Sequence, residues 1–364
     1  MSNTKNPIYE LIEQARLAER KGKACVSDIH LIRDSEPRLR IDSRNRRNDG
    51  GDRISNQDID EFVQKVGVEH MDEFAIEKCF TTSFYTLETG SCRVHVQHTH
   101  RGLKIVIRLL HDRVPHFESL GLPKQIRDFA DLPNGLVLVT GGTGSGKSTT
   151  LASLIDHINK TKEGAICTVE DPIEYLHESQ TSDVVQMLIG RDTPSFSKGI
   201  KSILRMDPDV ILVGEIRDQS TALACLQAAE SGHLVFATLH DNSAEETVSR
   251  FINMFPGDMQ NQVRIGLATS LRAVIAQRLV RKIGGTGRLA VTEIMKLNTA
   301  IKANIRDLKE HQIYATIDAG EREGMITLEK SLIRAVQSGL ITRDDALSAA
   351  NQKDKLEGAL KAVA

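Results

Sequence analysis

The sequence predicts an α/β protein with a mainly parallel sheet, preceded by a smaller α+β domain and followed by a helical subdomain. The first observation is a series of apolar runs that alternate with segments of helical spacing across residues 135–290. The runs are LVLVT (136–140), AICTV (165–169), VILV (210–213) and LVFAT (234–238). Continuous apolar strands alternating with helices are typical of a parallel sheet covered on both faces. The second observation is the helical pattern of residues 291–364, which indicates a C-terminal subdomain.

Residues 1–114 predict a separate α+β domain. Helical spacing covers 8–17 and 58–66, and strand-like runs cover 28–32, 92–96 and 103–109. The polar run RNRRNDGGDR (44–53) is typical of an exposed hairpin loop. Three prolines within residues 115–134 indicate a linker between the domains.

The composition excludes several classes of protein. A net charge of −2 and 4% aromatic residues do not favour a nucleic-acid partner. Five cysteines without a CxxC pair argue against a zinc site or a disulfide framework, and they suit a reducing cytoplasm. No run approaches the roughly 20 apolar residues of a transmembrane helix, so we expect only peripheral membrane contact.

The segment LVLVTGGTGSGKSTTLASLI (136–155) matches the phosphate-binding pattern G-x-x-x-x-G-K-S between a strand and a helix. Glycines let backbone N–H groups converge on phosphate oxygens, Lys147 bridges the outer phosphates of ATP, and Ser148 is a ligand for Mg²⁺. The predicted nucleotide-binding residues are Gly141, Gly142, Thr143, Gly144, Ser145, Gly146, Lys147, Ser148 and Thr149.

Three carboxylates follow the second strand of the predicted sheet, in VEDPIE (169–174). Glu170 and Glu174 are candidate catalytic residues, and Asp171 is a candidate for holding Mg²⁺, directly or through water. Their position at the carboxyl end of a strand is where α/β sheets bind ligands. A solvated acidic turn is the alternative interpretation.

The run DPDVILVGEIRD (207–218) places Glu215 beyond an apolar strand, where it could polarise the water that attacks the γ-phosphate. We assign Glu215 as the catalytic base. Glycine occupies the usual aspartate position of this motif. Asp209 is expected to cap or end a structural element, and Arg217 and Asp218 are expected to form a local ion pair.

Two histidines bracket the strand in SGHLVFATLH (231–240). His240 lies at its carboxyl end and is a candidate to sense the γ-phosphate. His233 lies at the other end of the strand, and a structural role is the alternative to a functional one there. Of His95, His98 and His100, strand alternation leaves only the last two on one face, which disfavours a metal site.

Taken in order, GGTGSGKS, VEDPIE, DPDVILVGEIRD and SGHLVFATLH resemble the secretion ATPases of type II secretion, type IV secretion and type IV pili. The runs ACVSDIHL and PRLRID also resemble the N-terminal signature of that family. The resemblance implies a RecA-like P-loop core and a PAS-like N-terminal domain. It also implies a homohexameric cytoplasmic ring, peripheral to the inner membrane, that binds a membrane platform protein and uses ATP with Mg²⁺.

Within the family, three features resemble the type IV pilus retraction ATPases. The chain lacks a tetracysteine element, lacks a long N-terminal extension, and carries AIKANIRD (300–307), similar to the AIRNLIRE motif of retraction motors. Ala300, Ile301, Ile305 and Arg306 match that motif, whereas positions 303 and 304 depart from it. A plain packing helix is the alternative.

The family also completes its nucleotide site with arginines of the N-terminal domain, and the resemblance implies this role for Arg93, Arg101 or Arg108. The alternative interpretation of each arginine is an exposed surface charge without a role at the nucleotide. The resulting hypothesis is a motor that retracts pili. Its alternatives are an assembly or secretion motor of the same family, a nucleic-acid translocase, and a scaffold that binds ATP without turnover.

Overall fold

The computed structural model describes residues 6–20, 26–41, 44–48, 54–86, 89–110, 114–284 and 287–363. Contacts divide the chain into two compact units. The first contains Met1–Arg113 together with Glu174–Leu176, and the second contains Val114–Ile173 and His177–Ala364. No helix of the described ranges combines the length and the apolar character that crossing a membrane requires.

The first unit is an antiparallel six-stranded sheet in the order β3-β2-β1-β6-β5-β4. The strands are β1 (Val26–Ile32), β2 (Arg38–Ile41), β3 (Arg44–Arg47), β4 (Cys79–Thr86), β5 (Gly90–Thr99) and β6 (Gly102–Leu109). The helices are α1 (Pro7–Arg20), α2 (Asn56–Val66) and α3 (Met71–Glu77). This confirms the predicted α+β class for the N-terminal part.

Alternation along the strands gives this sheet one apolar face. Leu103, Ile105 and Ile107 of β6 are buried, and they join α1 and α2 in a single core. Ser55 begins α2 with a capping box, because its hydroxyl accepts from the Asp58 N–H while Asp58 accepts from the Ser55 N–H.

The polar run 44–53, predicted as an exposed hairpin loop, begins with a strand. Residues 44–47 form β3, whose side chains are exposed and which pairs with β2. Residue 48 follows the strand, and residues 49–53 lie outside the described residues.

The second unit is built on a seven-stranded sheet in the order β13-β12-β7-β11-β10-β8-β9. The strands are β7 (Gly135–Thr140), β8 (Ala165–Glu170), β9 (Asp183–Leu188), β10 (Val210–Val213), β11 (Leu234–Thr238), β12 (Leu271–Arg281) and β13 (Arg288–Lys296). All neighbouring pairs are parallel except β12 and β13. The mainly parallel sheet is therefore confirmed.

Helices cover both faces of this sheet. Leu136 and Leu138 of β7 pack into one apolar cluster, whereas Val137 and Val139 pack into another. This two-sided burial explains why the strands are continuous apolar runs. The helices are α4 (Lys124–Arg127), α5 (Lys147–Thr161), α6 (Phe196–Ile203), α7 (Gln219–Glu230), α8 (Ala244–Asn253), α9 (Gly257–Ser270), α10 (Thr299–Arg306), α11 (Ile313–Ala319), α12 (Leu328–Gln337), α13 (Arg343–Ala349) and α14 (Lys353–Val363).

Two boundaries differ from the sequence-based expectation. The predicted linker, residues 115–134, packs into the second unit through Phe117, Ile126 and Phe129, which are buried in the same cluster as α5. The predicted helical subdomain at 291–364 begins later, because β13 extends the sheet to Lys296. Helices then follow to the end of the described chain, with α12–α14 forming their own cluster against β12 and β13.

Candidate active site

The phosphate loop connects β7 to α5 and is shaped by three glycines with positive φ. Gly141, Gly144 and Gly146 have φ values of +146°, +78° and +90°. A Cβ at Gly141 would lie 2.3 Å from the Gln277 carbonyl oxygen, so a side chain there cannot be accommodated. The loop ends at Gly146, and α5 begins at Lys147 with its N-terminal N–H groups available to an anion.

The Lys147 ammonium lies over this loop. Its Nζ donates to the carbonyl oxygens of Gly141, at 2.7 Å, and Gly142, at 3.2 Å, and lies 3.5 Å from Nδ1 of His240. The side chain is buried, so the charge is held close to the glycines. This is the arrangement needed to receive phosphate oxygens at the loop.

A chain of polar contacts continues from Lys147 across the carboxyl ends of the strands. His240 Nε2 lies 2.9 Å from Glu215 Oε1, and Arg217 Nε donates to Glu215 Oε2 at 2.8 Å. Nη1 of the same guanidinium lies 3.5 Å from Asp171 Oδ2. Because β7, β11, β10 and β8 are neighbours in that order, the segments that follow them meet at one edge of the sheet.

The expected ion pair between Arg217 and Asp218 does not form. Arg217 instead pairs with Glu215 and Asp171, and Asp218 caps α7 by accepting from the Thr221 N–H at 2.9 Å. Hydrogen bonds from Ser220 and Thr221 hold the pKa of Asp218 below its ordinary value, despite partial burial. An N-cap is the usual place for an aspartate at a helix start.

The remaining acidic candidates have different surroundings. Glu170 Oε1 accepts from Thr168 Oγ1 at 2.7 Å and from Gln186 Nε2 at 3.0 Å, so its side chain is held by β8 and β9. Glu174 belongs to the first unit. Asp209, expected to be structural, accepts from the Ala165 N–H at 2.8 Å and so ties the start of β8 to the start of β10.

His233 lies at the opposite end of β11 from His240. Its Nδ1 is 3.0 Å from the Ala228 carbonyl oxygen and 3.1 Å from Ser231 Oγ, at the turn after α7. The parallel sheet therefore separates the two histidines by the length of a strand. Of the two histidines, only His240 contacts Lys147 and Glu215, and the contacts of His233 favour its structural role.

The three candidate arginines belong to the first unit and are exposed. Arg108 Nε donates to Asp28 Oδ1 at 2.8 Å, which fixes its guanidinium beside a buried carboxylate. Arg93 lies directly opposite Arg108 across β5 and β6. The proposed role of Arg93, Arg101 or Arg108 at the nucleotide stays a prediction.

The retraction-type motif forms α10, and its two faces differ. Ile301 and Ile305 are fully buried in the core of the second unit, while Ala300 and Arg306 are exposed. Arg306 Nε donates to Asp307 Oδ1 at 2.9 Å. The isoleucines are thus packing residues, and only the outward residues can meet a partner.

Sequence reasoning missed Gln277 and the wall of the cavity beside the phosphate loop. Gln277 Nε2 donates to the Ser145 carbonyl at 2.8 Å, and its Oε1 accepts from Thr150 Oγ1 at 2.8 Å. A cavity of about 420 Å³ opens beside the loop. It is lined by loop residues 142–145, by the end of β12 and by α13, including Asp345, Ser348 and Ala349. A single glutamine within the apolar run RAVIAQRLV was the available signal.

The donor set fits a nucleotide with Mg²⁺. Exposed loop residues 142–144, the α5 N-terminus and the Lys147 ammonium all suit phosphate oxygens. Within the described ranges, no group of three His, Cys, Asp or Glu side chains could hold a metal ion by itself. A Mg²⁺ ion here would need phosphate oxygens and waters, as is usual for that ion.

Comparisons with known proteins agree with this geometry. The family model described as Type II/IV secretion system protein matches residues 85–286. The chain is similar to the type IV pilus retractation ATPase PilT of Pseudomonas aeruginosa, with 41% identity over 327 residues, 89% of this chain and 94% of that protein. It is also similar to a twitching motility protein of Neisseria gonorrhoeae, with 43% identity over 274 residues, 75% of this chain and 73% of that protein.

A solved structure has the same fold along nearly its whole length. The crystal structure of the pilus retraction motor PilT with bound ADP superposes with a TM-score of 0.87 and 39% identity, covering 96% of this chain and 99% of that one. The family match over more than half of the sequence, with 41% identity to a relative along most of its length, shows that this chain belongs to the Type II/IV secretion system protein family, the secretion and pilus ATPases.

Proposed function

We propose that this protein is a motor ATPase that powers retraction of type IV pili. The observation that carries the ATPase part is the continuous contact from Lys147 through His240 to Glu215 at the edge of the sheet. The retraction part is supported by similarity to proteins named as a pilus retraction ATPase and a twitching motility protein.

Each of the groups at this edge of the sheet has a role in the proposed hydrolysis. Backbone N–H groups of the loop and the Lys147 ammonium bind the phosphates and neutralise the charge that develops on the γ-phosphate. Glu215 orients and polarises the attacking water, and His240 fixes the Glu215 carboxylate through the 2.9 Å contact. Ser148, in the first turn of α5, and Asp171 are the residues that would hold Mg²⁺, which would supply further neutralisation of phosphate charge.

Arg217 has a defined place in this scheme. Arg217 forms ion pairs with Glu215, which also contacts His240, and with Asp171. It therefore keeps together two acidic side chains that follow neighbouring strands. The cavity beside the loop has room for the remainder of the nucleotide.

The motor part of the proposal concerns the assembly. We propose a cytoplasmic homohexamer on an inner-membrane platform protein, with Arg93, Arg101 or Arg108 of the first unit completing the nucleotide site. If the two units closed over bound ATP, hydrolysis would be coupled to a rigid-body movement. The near-neutral charge supports a protein partner over a nucleic acid.

The deciding experiment compares pili on a deletion strain with pili on a strain carrying Lys147→Ala. Lys160→Ala is the matched control, because Lys160 lies on the same helix and pairs at the surface with Asp156. We expect excess, static pili in the deletion and Lys147→Ala strains and normal pili in the control. Bald cells would overturn retraction and identify an assembly motor.

A further inference from the structure

The peptide between Ser145 and Gly146 is held from outside the phosphate loop by one buried side chain. Gln277 of β12 donates from Nε2 to the Ser145 carbonyl oxygen at 2.8 Å. Gln277 is 3% exposed, and Ser145 and Thr150 are also buried, so water does not compete for this bond. β12 lies beside β7 in the sheet, which brings a residue 132 positions away to the loop.

The orientation of the Gln277 amide is fixed. A carbonyl oxygen can only accept, so the amide nitrogen must face Ser145. The amide oxygen then faces Thr150, whose hydroxyl donates to it at 2.8 Å from the first turns of α5. A flip of the amide would break the bond to Ser145 and set the amide oxygen against the Ser145 carbonyl oxygen, which leaves that buried acceptor without a partner and is costly.

This contact controls an N–H group that faces the phosphates. In a planar trans peptide, the carbonyl of one residue and the N–H of the next point in opposite directions. The Ser145 carbonyl and the Gly146 N–H belong to one such peptide. Holding the carbonyl toward β12 therefore holds the Gly146 N–H on the opposite side, at the N-terminus of α5.

The residue that follows this peptide restrains its orientation only weakly. Gly146 has φ of +90° and no side chain, so its backbone rotates more easily than that of any other residue. The space on the β12 side is closely filled, since a Cβ at Gly146 would lie 2.8 Å from Gln277 Nε2. Glycine supplies the turn, and Gln277 selects one peptide orientation from those that glycine permits.

We propose that Gln277 is a positioning residue for nucleotide binding, which it serves by fixing the Ser145–Gly146 peptide with its N–H toward the phosphates. This inference rests on the proposed function, because it requires that the loop bind a nucleotide. Gln277 does not touch the nucleotide in this scheme and acts only through the loop.

The test measures the affinity of purified full-length protein for a fluorescent ADP, together with kcat, KM and the thermal unfolding midpoint. Gln277→Glu keeps the shape and the acceptor for Thr150 but places an oxygen against the Ser145 carbonyl. We expect its Kd for ADP and its KM to rise about 5- to 150-fold, the range for leaving a buried acceptor unsatisfied. The value of kcat at saturating ATP should fall less than affinity does.

A second pair of variants keeps the test decisive if Gln277→Glu unfolds. Thr150→Val removes the hydroxyl that fixes the amide and should weaken ADP binding, whereas Thr150→Ser keeps the hydroxyl and should bind as the wild type does. Unchanged Kd in both Gln277→Glu and Thr150→Val, whatever their unfolding midpoints, would overturn the proposal. Lys147→Ala separates the two hypotheses, because normal ADP binding in that variant would contradict the proposed function itself.

Discussion

Nε2 of His240 lies 2.9 Å from Oε1 of Glu215, so the residue that follows β11 holds the carboxylate that follows β10. The same imidazole places Nδ1 3.5 Å from the Lys147 ammonium. One side chain thus lies between Lys147, the proposed phosphate ligand, and Glu215, the proposed catalytic base. Hydrolysis depends on both being correctly placed at once.

Replacing Glu215 with glutamine should stop hydrolysis while leaving nucleotide binding intact. The amide has nearly the same shape and still accepts from Arg217, but it cannot polarise the attacking water. We expect kcat to fall about 100- to 10,000-fold, with the Kd for ADP changed only slightly. Steady-state phosphate release and fluorescent ADP titration measure the two effects.

Asp218→Asn is the matched control for that change. It is also a carboxylate-to-amide substitution, three residues further along, but Asp218 caps α7 and asparagine caps helices equally well. Its kcat should match the wild type. Retention of more than a tenth of wild-type kcat by Glu215→Gln would remove Glu215 from its assigned role.

The two histidines that flank β11 should respond differently to the same substitution. His240→Asn shortens the side chain and breaks the contact with Glu215, so we expect kcat to fall about tenfold or more. His233→Asn changes a turn at the other end of the strand and should leave kcat unaltered. Equal losses in the two variants would mean that His240 acts through the fold and not through Glu215.

Much of the second unit is predictable because two-sided burial demands continuous apolar strands. Val210–Val213 and Leu234–Thr238 are such strands, and each is fully buried. The same regularity predicts that the segments after β7, β8, β10 and β11 meet at one edge. This is why four separate motifs could be assigned to one site before any distance was known.

The features that escaped prediction depend on neighbours distant in sequence. Gln277 meets Ser145 only because β12 lies next to β7, and no local pattern encodes that pairing. Arg217 has Asp218 beside it in sequence, yet its partners are Glu215 and, across the sheet, Asp171. β13 lies within the residues predicted as a helical subdomain, and its run RLAVTEIMK contains two polar side chains, Thr292 and Glu293, that are buried by the neighbouring elements.

The two faces of α10 should separate stability from motor output. Ile305→Ala creates a cavity in the core and should lower the free energy of unfolding by about 2–5 kcal/mol. Arg306→Ala removes an exposed ion pair and should leave the unfolding midpoint and ATPase rate unchanged. Loss of twitching in Arg306→Ala, with normal ATPase activity, would assign the outward face to a partner. Normal twitching would identify α10 as a packing helix only.

Stability should fall as pH rises through neutrality because of Glu293. This residue of β13 is 2% exposed, and its Oε1 accepts from the Ala244 N–H at the start of α8 at 2.7 Å. Burial raises its pKa to about 7, and the nearby Glu329 carboxylate adds to the shift. A raised acid pKa means that the folded state favours the protonated form. The stabilisation is therefore complete below the unfolded value of 4.5 and is lost as pH rises through 7.

Glu293→Gln tests this dependence, since the amide resembles the protonated acid and still accepts from Ala244. We expect the variant to exceed the wild type in free energy of unfolding by on the order of 3 kcal/mol at pH 8, and by less than about 1 kcal/mol at pH 5. Urea unfolding without nucleotide across pH 5 to 8 measures the slope. Glu357→Gln, at the surface beside Lys361, is the control and should leave the slope unaltered. Parallel pH curves for the wild type and Glu293→Gln would show that Glu293 does not titrate in this range, because only a group that changes charge there can change the slope.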